Sequence, residues 1–371
     1  MAKSESDDDL PLDQIRLTKR LTNLLRIVDE FGISPENLRG LCLVLEQLAQ
    51  VALERGNHDE ALRLYQQIQM IRIQIMTEFG ATAESLRDVS IATSQIGLFA
   101  LSDGDRDSAR DLFQESLKIC RRNVAEFGAT AESLREISFT LSLLADVAAS
   151  DGDADSLRTL YEESLSISRQ IVAEFGETAE SLRDVSVLLN KVGDLAQLDG
   201  KHESARVLFT ESLVISRQIV TEFDATAESL RDVSISLNNV GDIQVLNGDS
   251  ESASGLFEES LMIRRQILAE FGVSAESLRD ICISLNKVAD LAQSDGEPEL
   301  ARVLLEEAVN YSRQNVEEFG ATPESLRAAY FSLNKVAELL QAEFEQESAR
   351  PSGPARTLRH LGKIGDLRSA A

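Results

Sequence analysis

Four asparagines, Asn190, Asn238, Asn286 and Asn334, stand 48 residues apart. The residues that follow them are Lys191, Asn239, Lys287 and Lys335, and four residues after each asparagine comes an acid: Asp194, Asp242, Asp290 and Glu338. Positions three and four apart share one face of a helix, so each set forms a polar stripe. An asparagine amide both donates and accepts, so a row of them could hold the main chain of a peptide without reading its sequence. The lysines and aspartates could then grip side chains or a terminal carboxylate. Solvation of a helix face, or duplication alone, would leave the same stripe. Glu46, Ser94 and Ser142 take the asparagine position in earlier copies, so binding is expected to concentrate in the C-terminal half.

Other reactive residue types are scattered. The histidines, His58, His202 and His360, are isolated, and the cysteines, Cys42, Cys120 and Cys282, lie far apart with no CxxC pair. No HExxH, GxSxG or GxxxxGKS motif occurs, so no residue is assigned a catalytic, cofactor-binding or metal-binding role, and an enzyme is not expected. The cysteines read as buried, reduced thiols. The stretches Asp103-Gly104-Asp105-Arg106-Asp107 and Asp151-Gly152-Asp153-Ala154-Asp155 resemble part of a calcium loop. They lack its bidentate glutamate, and helix capping by aspartate accounts for them better.

The elements that position these residues follow from a repeat. The dipeptide Glu-Phe returns every 48 residues, seven times, from Glu30-Phe31 to Glu318-Phe319. In the copy that begins at Thr178, that threonine is placed to cap a helix, here termed A, with Glu180 in its first turn. Leu182, Val185, Leu189, Val192 and Ala196 supply its buried stripe, and Asp199-Gly200 ends it. Helix B follows, with Ala205, Leu208, Phe209, Leu213, Ile215 and Ile219 as its apolar side, and closes near Phe223. A glycine follows that phenylalanine in every copy except one, where Asp224 stands. Each helix is about 20 residues, and the short connections make neighbours antiparallel. Two arginine rows, Arg39 to Arg327 on helix A and Arg121 to Arg313 on helix B, are expected to form inter-helix salt-bridge ladders rather than to bind a partner's phosphate or carboxylate.

Gly193, Ala196, Gly200, Ala205, Phe209 and Ser212 follow the small, large, Gly, Ala, aromatic, small pattern of the tetratricopeptide repeat, which the chain resembles from about Leu12 to Phe344. Gly97, Gly104, Ala109, Phe113 and Ser116 repeat the pattern, as do Gly241, Gly248, Ala253, Phe257 and Ser260. One copy departs, with Leu157 at the packing alanine, which is expected to push its helices apart locally. The family unit is about 34 residues, so this one is a long-helix variant. It is similar to the repeats of kinesin light chain, whose signature Leu237-Asn238-Asn239-Val240-Gly241 approaches, and of bacterial signalling and scaffold proteins. The resemblance implies an all-α, right-handed superhelical solenoid of antiparallel helix pairs. It also implies a concave groove lined by A helices, carrying the polar stripe, that binds extended or helical peptides.

The expected organisation is a disordered acidic stretch at 1–11, a solenoid over 12–345 and a basic tail over 346–371. The solenoid comprises a lone first helix, six helix pairs and a lone last helix. The tail admits three readings: a replacement cap, an interaction element, or the remnant of a truncated array. Acidic residues outnumber basic ones 63 to 37, a net charge of −26. That field disfavours nucleic acid and anionic membranes as partners and favours a basic protein segment, although it also serves solubility. No apolar run is long enough to span a membrane and no secretion signal opens the chain, so a cytoplasmic location is expected. The functional expectation is a non-catalytic scaffold that captures a partner's peptide segment. A regulatory sensor or assembly factor, and a structural array that self-associates through its C-terminal end, are the rivals.

Overall fold

A computed structural model describes residues 12–349, and among them every regular element is a helix. The stretch 1–11 and the segment 350–371 lie outside the described residues, and with them the expectations of a disordered start and a basic tail. In chain order the helices are α1 (Leu12–Phe31), α2 (Pro35–Glu54), α3 (His58–Phe79), α4 (Ala83–Ser102), α5 (Arg106–Phe127), α6 (Ala131–Asp151), α7 (Ala154–Phe175), α8 (Ala179–Leu198) and α9 (His202–Glu222). They continue with α10 (Ala227–Leu246), α11 (Ser250–Phe271), α12 (Ala275–Ser294), α13 (Pro298–Phe319) and α14 (Pro323–Ala349). Even-numbered helices are the A helices. The chain divides into two compact units, one ending at Asp224 and the other beginning at Ala225. Within each unit every helix packs on the next, forming an all-α solenoid of antiparallel pairs.

The A helices start where a hydroxyl can satisfy open backbone donors. Thr178 Oγ1 accepts from Ser181 N at 3.0 Å while Thr178 N donates to Ser181 Oγ at 2.9 Å. The same reciprocal box closes α4, α6, α10 and α12. Each side chain thereby pairs one of the N–H groups that a helix start leaves without an intrahelical partner. Serine thus fills the place usual for Glu or Gln, a role that Ser85, Ser133, Ser181, Ser229 and Ser277 announce only through their spacing from the cap.

Helix ends depend on glycine. Gly200 takes φ +72° after α8, a conformation in which a side chain would be strained. At Asp224 that option is missing, and α9 stops one residue sooner than the other complete B helices, with Phe223 at φ −114° and ψ −106°. In α14 the position of the A-helix glycine is occupied by Phe344. No left-handed stop forms, and the helix runs 27 residues against 20 for α12.

Inside each pair, packing is set by small residues. A Cβ built on Gly193 would lie 2.4 Å from Phe209 Cε1, and one on Gly241 would lie 2.3 Å from Phe257 Cε1. The phenyl ring therefore rests directly on the glycine backbone. Copies with alanine at this place carry another partner: Tyr65 opposite Ala49, Tyr161 opposite Ala145, and Leu305 opposite Ala289. Beside this contact runs a buried seam of serines. Ser186 Oγ lies 2.9 Å from Ser212 Oγ and 2.7 Å from Ser216 Oγ, and Ser138 meets Ser164 and Ser168 in the same way. The hydroxyls satisfy one another, so the seam admits close helix approach without orphaned hydroxyls. Leu157 is accommodated as a partly buried member of the Ala145–Tyr161–Val185 cluster.

Candidate binding face

Adjacent A helices are tied in register by ion pairs. Arg39 reaches Glu84 at 2.7 Å, Arg87 reaches Glu132 at 2.7 Å and Glu136 at 3.3 Å, and Arg135 reaches Glu180 and Asp184 at 3.2 Å each. In the second unit Arg231 reaches Glu276 at 3.1 Å and Asp280 at 2.6 Å. Arg39, Arg87, Arg135 and Arg231 thus form the expected ladder, from one A helix to the next within each unit. A second ladder ties B helices, through Arg121–Glu163, Arg169–Glu211 and Arg265–Glu307. Burial raises the carboxyl pKa of Asp88 and Asp184 above the ordinary value, and nearby arginines oppose the shift.

The polar stripe forms a second rung on the A helices. Lys287 Nζ donates to Asp242 Oδ2 at 2.7 Å, and Lys335 Nζ to Asp290 Oδ1 at 2.5 Å. Each lysine also lies over an aromatic ring, Phe257 at 5.3 Å and Phe331 at 5.1 Å from the centroid. In the first unit Lys191 Nζ is 3.1 Å from the Tyr161 hydroxyl and 4.9 Å over its ring, and that hydroxyl donates to Asp146 Oδ1 at 3.3 Å. Asn239, half-buried, takes the lysine's place on α10, and Asp194 is exposed on α8.

The asparagines sit differently from a row on an open surface. Asn238 and Asn286 are buried, and their amide nitrogens donate across the seam to Ser284 at 3.4 Å and Ser332 at 3.3 Å on the next A helix. Their Oδ1 atoms are buried without a hydrogen-bond partner. Asn190 is half-buried and Asn334 exposed. Two of the four thus face the next helix rather than solvent. The 48-residue period shows that the four are equivalent in register; it does not show how far a neighbouring helix covers each of them.

A row that periodicity alone did not single out lies between the arginine ladder and the lysine rung of the A helices. Leu43, Ile91, Phe139, Val187, Ile235, Ile283 and Phe331 occupy one position in all seven A helices. Leu43 is 56% exposed, Phe139 52%, Ile283 49% and Phe331 53%, with the others half-buried. The outward position Met70, Lys118, Ser166, Val214, Met262 and Asn310 on B helices keeps no such character. In the first unit Leu43 and Ile91 open onto a cavity of about 580 Å³, shared with Gln47, Gln95, Tyr65 and Arg72. Arg72 is engaged there by Glu46 and by the Asp88 carbonyl at 3.1 Å. A smaller cavity in the second unit, about 250 Å³, holds Arg231 and the buried Arg264, both turned toward Asp280.

Among the described residues no group of three or more His, Cys, Asp or Glu side chains is placed to hold a metal ion. The acidic loops act as caps: Asp105 Oδ1 accepts from Ser108 N and Asp153 Oδ1 from Ser156 N, each at 3.1 Å. The three cysteines are free and buried, and burial pushes the Cys42 and Cys282 thiols up to about 11. No helix among the described residues is long and apolar enough to cross a membrane.

No protein-family model and no curated protein matches the chain. Solved structures do match. The crystal structure of BtubC (BKLC) from P. vanneervenii superposes with a TM-score of 0.55 at 18% identity, covering 72% of this chain and 94% of that one. The fold is of the tetratricopeptide type. The apo form of RapI shares this tetratricopeptide-like architecture at a TM-score of 0.54 and 11% identity, over 88% of this chain and 85% of its own. The S. pombe nuclear import adaptor Nro1 does so at 0.51 and 12%, over 80% and 99%. At these identities the likeness speaks for the tetratricopeptide fold alone.

Proposed function

We propose that this chain is a non-catalytic protein-interaction scaffold that captures a peptide segment of a partner protein on the solvent face of its A helices. The observation that carries this reading is the register. Ion pairs between successive A helices hold equivalent residues in register on each unit, which is how a repeat array presents a binding surface. Lys191 and Asp194 on the first unit, and Asn239, Asp242, Lys287, Asp290 and Lys335 on the second, form the polar edge of that face on each. Asn190, Asn238, Asn286 and Asn334 support it, the two buried ones from behind. A basic partner segment fits the net charge of −26.

The test compares faces. A variant with Lys191, Asn239, Lys287 and Lys335 changed to alanine is set beside a B-face variant, Met70→Ser/Met262→Ser, in pull-downs from source cells. A partner retained by the B-face variant and lost by the A-face variant is the expected result. Equal retention by both would move the interaction off the A helices.

One observation favours a second reading, self-association through the end of the array. Leu333 is 53% exposed, whereas its equivalents Leu189, Leu237 and Leu285 are fully buried under their own B helices. Leu326, Tyr330 and Leu340 extend the same bare stripe along α14.

A further inference from the structure

Building on the A-face reading, we infer that the first unit recognises an extended, basic segment that places an apolar side chain at every third position along the row Leu43, Ile91, Phe139 and Val187. Charges on this face are largely committed to one another. Arg39, Arg87 and Arg135 are engaged by carboxylates of the next A helix, and Lys191 by Tyr161. Between these pairs an apolar row stays open to a partner. Leu43 and Phe139 are more than half exposed, and the Leu43–Ile91 pair opens onto the cavity of about 580 Å³. The identity of the row changes from copy to copy while its apolar character does not, so duplication alone does not account for it. Single exposed apolar residues are ordinary, but a contiguous row is not.

Spacing selects the conformation of the occupant. Arginine–carboxylate pairs join each A helix to the next, so the anchors advance by one helix diameter, roughly 10 Å, per repeat. A polyproline-type extended chain has three residues per turn and rises about 3.1 Å per residue, which puts every third side chain on one face about 9 Å from the last. Charge selects its sign. Arg87 and Arg135 each face two acids, so the ladder beside the row carries surplus carboxylates. A segment with basic side chains between its apolar anchors balances them and keeps the row dry.

The experiment uses the full chain and labelled synthetic peptides of repeating Leu-Lys-Pro, with Ser-Lys-Pro and Leu-Glu-Pro controls and a helical Leu/Lys peptide whose leucines are seven apart. Leu-Lys-Pro should bind, and Ile91→Ser/Phe139→Ser should weaken it roughly tenfold or more, as loss of a central anchor does. Circular dichroism reports whether that variant is folded, and Phe139→Leu, which keeps the anchor, should restore binding. Equal affinity for Ser-Lys-Pro would reduce the effect to bulk charge and overturn the inference. Preference for Leu-Glu-Pro or for the helical peptide would overturn it as well. If no peptide binds while the lysine-edge variant still loses its cellular partner, this inference fails and the A-face reading stands. If neither effect appears, both fall.

Discussion

At the residue scale, the pairing of Gly193 with Phe209 shows how one missing methyl group governs a helix contact. Alanine at position 193 would gain about 1 kcal/mol of helix propensity. The added Cβ, however, would lie 2.4 Å from a fully buried ring. Overpacking of this kind costs about 1–3 kcal/mol, so Gly193→Ala should destabilise on balance. The chain holds its own remedy in Ala289 facing Leu305. Gly193→Ala combined with Phe209→Leu should therefore show a favourable coupling of about 1 kcal/mol in a double-mutant cycle measured by urea unfolding. Additive effects would mean that the ring can move aside. The Gly, Ala and aromatic positions of this contact were legible in the sequence because small residues at fixed spacing have few other uses. The burial of Asn238 and Asn286 was not. A polar residue next to a core stripe looks the same whether it faces water or the neighbouring helix; in the fold the amides of Asn238 and Asn286 are turned to Ser284 and Ser332, 46 residues on.

At the element scale, caps set where the helices begin, and they respond to pH. At the starts of α5, α7 and α11, hydrogen bonds from the side chain and then the backbone N–H of Ser108, Ser156 and Ser252 hold the carboxyls of Asp105, Asp153 and Asp249 below the ordinary aspartate value. A carboxylate with a lowered folded-state pKa stabilises the fold above its unfolded pKa, and that contribution is lost as pH falls through the folded value. The unfolded value is about 3.9, so the loss falls below about pH 4. Replacing all three with asparagine keeps a capping oxygen and removes the titration. The melting-temperature difference between the wild type and this triple variant should be constant from pH 7 to 5 and shrink or reverse below pH 4. A difference unchanged down to pH 3 would show that the three carboxyls do not take up protons in the folded state differently from the unfolded one. Starts and stops of most elements could be read from Ser or Thr before each A helix and Gly after it. The extension of α14 to Ala349 was harder to see, because the register Ser348-Ala349 imitates the start of a B helix while Phe344 removes the glycine that would have separated the two.

At the scale of the whole molecule, a repeat array covers each A helix with its own B helix, and α14 has none among the described residues. Leu326, Tyr330, Leu333 and Leu340 leave a stripe at spacings of three, four and seven, whose equivalents on α12, Leu278, Cys282, Leu285 and Ala292, are all buried. Such a stripe is a self-complementary surface in the simplest case, since the same patch on two copies can pack about a two-fold axis. Burying an exposed leucine is worth about 1.5–3 kcal/mol, so three leucines and a tyrosine supply enough for association at micromolar concentration once the cost of bringing two chains together is met. Light scattering should then show mass rising from monomer toward dimer over about 1–100 µM, consistent with that affinity range. Tyr330→Glu/Leu333→Glu should hold the chain monomeric while leaving its helical circular dichroism unchanged. A monomer at every concentration in the wild type would mean that the stripe is covered within one chain, and the same double variant would then lower the melting temperature instead of the mass. The two outcomes place the same charges against different neighbours, so one pair of substitutions separates a joining end from a closed one.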